Sequence, residues 1–136
     1  GFKELKEAGM IKRIPKMVGI QSASCAPLYQ AFKEGWRETR PIEKKETLAE
    51  GIAIAEPVRG RQILEVIRET GGEVLVVTEK EIKEALKEMG RKGHFIEPTS
   101  AATIAGLKKY LRNKRRRETV ISTLTGMGLK SAGKML

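Results

Sequence analysis

The chain has 136 residues, 27 Lys and Arg against 17 Asp and Glu for a formal charge of +10, 40% hydrophobic residues and 4% aromatic ones. That suits one globular domain and excludes a disordered or collagen-like chain, and no apolar run approaches the roughly 18 residues that cross a bilayer. A single cysteine, Cys25, and a single histidine, His94, exclude an intrachain disulfide and a Cys/His zinc cluster, so no metal site is expected.

The amino-terminal stretch lacks the layout of a signal peptide, and the chain reads as soluble and cytoplasmic. Its many charges and few aromatics are common among thermophile proteins. Phe2 and Leu5 already show helical spacing before Gly9, with no capping residue ahead of them, as though a helix were entered midway. The chain is therefore expected to be a segment of a longer polypeptide.

After Pro15, residues 16–21 are short, largely apolar and bounded by turn formers, which predicts a buried strand. Residues 26–35 predict a helix with Pro27 in its first turn, Leu28, Ala31 and Phe32 on one face, and Gly35 as its stop. Residues 36–45 are polar and irregular, and 46–57 read as a loop with a turn of helix ahead of Pro57. Residues 61–70 carry Ile63, Val66 and Ile67 on one side and end at Gly71-Gly72. The β-branched run 73–78 is the clearest strand, and Thr78-Glu79-Lys80-Glu81 is a capping box ahead of Ile82, Ala85, Leu86 and Met89 at helical intervals. Gly90 and Gly93 break that helix. Thr99 or Ser100 then caps another that carries Ile104, Leu107 and Leu111, and residues 119–124 predict a last strand leading into Thr125-Gly126-Met127-Gly128.

Apolar strands alternating with amphipathic helices require crossover connections, so the class is α/β: a parallel sheet of about three strands in a three-layer arrangement with flanking helices. Ligands in such sheets collect beyond the carboxyl ends of the strands, which directs attention to residues 21–24, the turn after Val77, and residues 123–128.

Several motifs fail on inspection. Gly128 to Lys134 almost spells a P-loop, but Met135 replaces the magnesium-binding hydroxyl, and Gly126-Met127-Gly128 does not continue as a dinucleotide fingerprint. Lys108-Lys109 and Lys114-Arg115-Arg116-Arg117 form a basic patch that suits a small nucleic-acid-binding module. The plainer reading, cations complementing a helix carboxyl end, is preferred because Tyr110 alone is aromatic there. Cys25 and His94 are read as a buried thiol and a half-exposed imidazole rather than a catalytic pair. Glu97 and the hydroxyls of Thr99 and Ser100 at a small-residue helix entry, and Thr125 between a strand end and two glycines, are the polar clusters that remain.

At these clusters Glu97-Pro98-Thr99-Ser100-Ala101-Ala102, followed by Thr123-Leu124-Thr125-Gly126-Met127-Gly128-Leu129-Lys130, resembles the carboxyl-terminal part of the threonine synthases in order and spacing. Residues 15–21, Cys25-Ala26-Pro27-Leu28, and 46–54 with Pro57 look like the segments before it, so the likeness runs from Gly1 to about Lys130. The resemblance implies a pyridoxal-phosphate enzyme of the tryptophan-synthase-β-like fold that converts O-phosphohomoserine and water into threonine and phosphate. Threonine dehydratase and cysteate synthase, which share parts of the pattern, are the alternatives.

By similarity, Thr125 lies beside the cofactor's pyridine nitrogen, where a neutral hydroxyl holds the ring proton less firmly than a carboxylate would. Glu97 lies near the same end of the ring, and Gly126 gives the turn its room. Residues 22–25 would border the site. Met127 stands where many relatives would carry His or Asn.

The Schiff-base lysine and the loop gripping the cofactor phosphate belong to family segments that precede Gly1. No catalytic residue is assigned, and the chain alone is expected to be inactive. Its expected partners are an amino-acid substrate, the missing amino-terminal part of the same enzyme, and further copies in a homo-oligomer, with neither membrane nor nucleic acid.

Overall fold

The structure is a computed structural model and describes residues 1–112 and 118–135. Its elements run α1 (Phe2–Glu7), β1 (Val18–Ser22), α2 (Pro27–Lys33), a 3-10 turn (Glu50–Ile52), α3 (Gly60–Glu69), β2 (Glu73–Val77), α4 (Glu79–Arg91) and α5 (Pro98–Arg112). A second 3-10 turn (Gly128–Ser131) and α6 (Ala132–Met135) follow.

The two strands pair in parallel, from Val18 opposite Glu73 to Ser22 opposite Val77. Neighbouring residues of a strand face opposite sides of the sheet, and β1 shows what lies on each. An ideal Cβ on Gly19 would stand 3.4 Å from Ile67 of α3, whereas the side chain of Ile20 fills the place of any Cβ on Gly106 of α5. Helices α3 and α5 therefore cover opposite faces, and the expected three-layer α/β arrangement with a parallel sheet is what the chain forms.

The core explains why α5 is rich in alanine. Ala101, Ala102 and Ala105 bring its backbone close to Val77, Ile82, Ala85, Ala49 and Ile96, all of them buried. On the other face Leu64 and Ile67 of α3 are buried. Burying an aliphatic side chain such as Leu64 or Ile82 contributes about 2 kcal/mol.

Thr78 caps α4 with both halves of the capping box: its hydroxyl accepts from Glu81 N, and the Glu81 carboxylate accepts from Thr78 N at 2.8 Å. Lys109 reaches from α5 to the same place, donating to the Val76 carbonyl at 2.7 Å and to Glu81 at 3.0 Å.

Four expectations need correction. Helix α3 turns Leu64 and Ile67 inward and leaves Ile63 and Val66, expected on the same side as Ile67, 37% and 38% exposed. Among the described residues the sheet has two strands rather than three, because residues 119–124 form no ladder, with Ile121 90% exposed. A strand is defined by the edge it pairs with, and none is offered there. Helix α4 runs on through Gly90 to Arg91, since one glycine costs an exposed helix only about 1 kcal/mol. Helix α5 starts at Pro98, so Thr99 and Ser100 lie inside its first turn and neither caps it.

Candidate functional site

Released from capping, Ser100 takes a different task. It is fully buried, and its Oγ accepts the backbone N–H groups of Thr125 at 2.9 Å and Gly126 at 3.3 Å. The same oxygen lies 3.2 Å from Thr125 Oγ1, which donates to Glu97 Oε1 at 2.8 Å. Backbone bonds hold the segments together on either side: Glu97 N donates to Gly126 O at 3.0 Å, and Gly128 N to Phe95 O at 2.9 Å. Thus Glu97, Thr125 and Gly126, singled out from sequence, meet in one cluster. A Cβ on Gly126 would stand 2.5 Å from the Glu97 carboxyl carbon, so a larger residue there would displace the Glu97 carboxylate from Thr125.

The proton directions in this cluster are fixed by what each group can do. A carboxylate only accepts, so the Thr125 proton points at Glu97; the Ser100 proton then turns to Thr125 Oγ1. One lone pair of Thr125 is left, and Thr125 is exposed. It opens on a cavity of about 400 Å³ that is also lined by Glu97, Thr99, Leu48, Gly51 and Ile52. At this end the cavity offers a ligand hydrogen-bond acceptors.

Leu48, Gly51 and Ile52 were not singled out as site residues from sequence. Their signal was the short apolar stretch between charged flanks, which pattern alone cannot aim at a cavity. Of the loops expected at the strand ends, residues 21–24 and the turn after Val77 do lie side by side, with Ala23 N donating to Val77 O at 2.8 Å.

The remaining sequence candidates are placed elsewhere. Cys25 is buried, which pushes its thiol up and leaves it a poor nucleophile, while His94 is exposed beyond α4. Lys108 pairs with Glu88 and Lys109 with Glu81, so both cations are engaged within the domain. Residues 114–117 of the basic patch lie outside the described residues. No group of three or more metal-ligating side chains occurs among the described residues.

The chain is thus a parallel α/β domain with a polar cavity built from a helix entry and a following loop. Residues 1–126 match the family described as pyridoxal-phosphate dependent enzyme, and the chain belongs to that family.

It is 42% identical over 133 residues to threonine synthase of Methanocaldococcus jannaschii, covering 96% of this chain and 33% of that protein. To threonine synthase of Methanosarcina acetivorans it is 41% identical over 133 residues, with the same coverage of 96% and 33%. The chain thus spans about a third of the length of the curated relatives it matches.

Maize serine racemase superposes with a TM-score of 0.66 at 18% identity, over 95% of this chain and 39% of that one. Threonine deaminase isoform 2 of Solanum lycopersicum, in its processed form, gives 0.65 at 19% identity, over 98% and 38%. These likenesses show the fold.

Pyridoxal phosphate is the cofactor of the family, and the residues present fit one end of it. A planar ring bearing a nitrogen suits a cavity with apolar walls and an acceptor at one end, which Leu48, Ile52 and Thr125 provide. Among the described residues no lysine lines this cavity.

Proposed function

We propose that the chain is the carboxyl-terminal part of a threonine synthase, which converts O-phosphohomoserine and water into threonine and phosphate together with a preceding segment of the same enzyme. The reading includes the expected homo-oligomer and a cytoplasmic location. The observation that carries it is the hydrogen-bonded run Ser100, Thr125, Glu97 opening on the cavity.

Bound pyridoxal phosphate supplies an electron-withdrawing ring for chemistry at the substrate carbons. What this chain does is hold the ring end. Ser100 fixes the Thr125 backbone, Glu97 draws the Thr125 proton away, and Thr125 Oγ1 would thereby be left to accept from the ring nitrogen. A hydroxyl meets a proton on that nitrogen more weakly than a carboxylate would, which tempers electron withdrawal. Leu48 and Ile52, in the cavity wall, would keep water from the ring. Thr125, Gly126 and Glu97 are accordingly the cofactor-binding residues of the proposal.

The test joins the chain to the segment that precedes it in the longer relatives and follows phosphate release from O-phosphohomoserine, which is expected to require pyridoxal phosphate. Thr125→Val is expected to weaken cofactor binding about fivefold, the worth of one hydrogen bond, and to shift the cofactor's absorbance. No phosphate release, or an unchanged spectrum and affinity in the variant, overturns the reading.

A further inference from the structure

Glu79 is the first residue of α4, where an acid complements the helix dipole and is ordinarily left to solvent. Here it is not. Its Oε1 accepts from Ser22 Oγ at 2.9 Å and from Thr47 Oγ1 at 2.5 Å, and its Oε2 accepts from Leu48 N at 2.9 Å. The two hydroxyls are themselves oriented by backbone donors, Ser24 N to Ser22 Oγ at 3.1 Å and Ala49 N to Thr47 Oγ1 at 3.2 Å. One carboxylate therefore ties the carboxyl end of β1, the start of α4 and residues 47–49.

Those residues lead directly into the cavity wall. Leu48 is part of it, Ala49 is fully buried in the core, and Gly51 and Ile52 of the 3-10 turn continue it towards Thr125 and Glu97. Burial would raise the Glu79 pKa, yet the bonds from Thr47, Leu48 and Ser22 more than offset that and lower it, as three charge-assisted donors should.

We propose that Glu79 is a positioning residue for the cofactor cavity: through Thr47 and Leu48 it fixes the wall of residues 48–52 at the spacing from Thr125 that the ring requires. The proposal rests on the cofactor reading above, and it extends the site to a side chain that lines not the cavity of about 400 Å³ beside Thr125 but a neighbouring one of about 750 Å³, with Thr47 and Leu48 in its wall.

Two readouts test it. In the chain itself, Glu79→Ala is expected to speed amide hydrogen exchange at Leu48 about tenfold or more, the loss of one charge-assisted bond, while β2 amides change less than about twofold. In the protein that also carries the preceding segment, the same substitution is expected to raise the Kd for pyridoxal phosphate about tenfold, and Glu79→Gln, which keeps one acceptor, to recover most of it. Unchanged exchange at Leu48 overturns the clamp whatever binds in the cavity. Faster exchange with an unchanged Kd overturns the coupling, and leaves the cofactor reading to the Thr125 variant. If Glu79→Ala does not fold, Thr47→Val takes its place; no change in either readout overturns the proposal.

Discussion

Residues 73–78 and 119–124 are two runs of similar chemistry, Glu-Val-Leu-Val-Val-Thr and Thr-Val-Ile-Ser-Thr-Leu, and both read as strands. In the first, Val74 and Val77 are buried, β1 pairs along all five residues, and Thr78 opens a capped helix. In the second, Val120 and Leu124 are 39% and 44% exposed and no ladder forms among the described residues. Propensity is equal; the neighbours differ. A strand is a relation between two chain segments, and sequence reads only one side of it.

The contrast can be broken or sharpened by mutation. Ile82→Ala, in the core behind the first run, is expected to destabilise the chain by about 3 kcal/mol through lost burial and a cavity, whereas Leu124→Ala should stay within about 0.5 kcal/mol. Urea unfolding of both variants decides this, and equal losses would erase the distinction. Next in size, Thr78→Ala removes the cap that joins strand to helix, for a loss of about 1 kcal/mol in the same assay.

The smallest effect is electrostatic. Hydrogen bonds from Lys108 and then Lys92 pull the exposed Glu88 carboxyl from its ordinary 4.5 down to about 2. A carboxyl lowered by folding stabilises when ionised, so this contribution is complete above about pH 4.5 and is lost as the pH falls through about 2. Stability measured from pH 5 to pH 2 should decline less steeply in Glu88→Gln, and added salt should narrow the gap. Glu79 and Glu81 are lowered as well, so some acid sensitivity remains in that variant.

The parts legible in the sequence were those whose causes are local. The T-x-x-E box from Thr78 to Glu81, the existence of helix α3 and the alternation of strands with helices each announce themselves within a short window, and each is present. The face α3 buries, however, is Leu64 and Ile67 and not the expected Ile63, Val66 and Ile67. The proximity of Glu97, Thr125 and Gly126 was legible through the family likeness of two short motifs, since the three lie together. What was not legible needed the third dimension. Ser100 looks like a cap until its oxygen is found on the Thr125 and Gly126 amides, and Glu79 looks like an ordinary first-turn acid until Thr47 and Leu48, some thirty residues away in sequence, are found on its carboxylate.

The parallel pairing of Val18–Ser22 with Glu73–Val77 governs the order in which the domain can assemble. A ribosome would release the first of these strands about fifty residues before the second, and no tight turn can close a parallel pair sooner. Helices α4 and α5, linked by the short stretch 92–97, can meet as soon as both have emerged, so the helical half is expected to zip up quickly and the sheet to lock last. The slowest refolding phase should accordingly follow β1, and a chaperone binding during synthesis would find its target there.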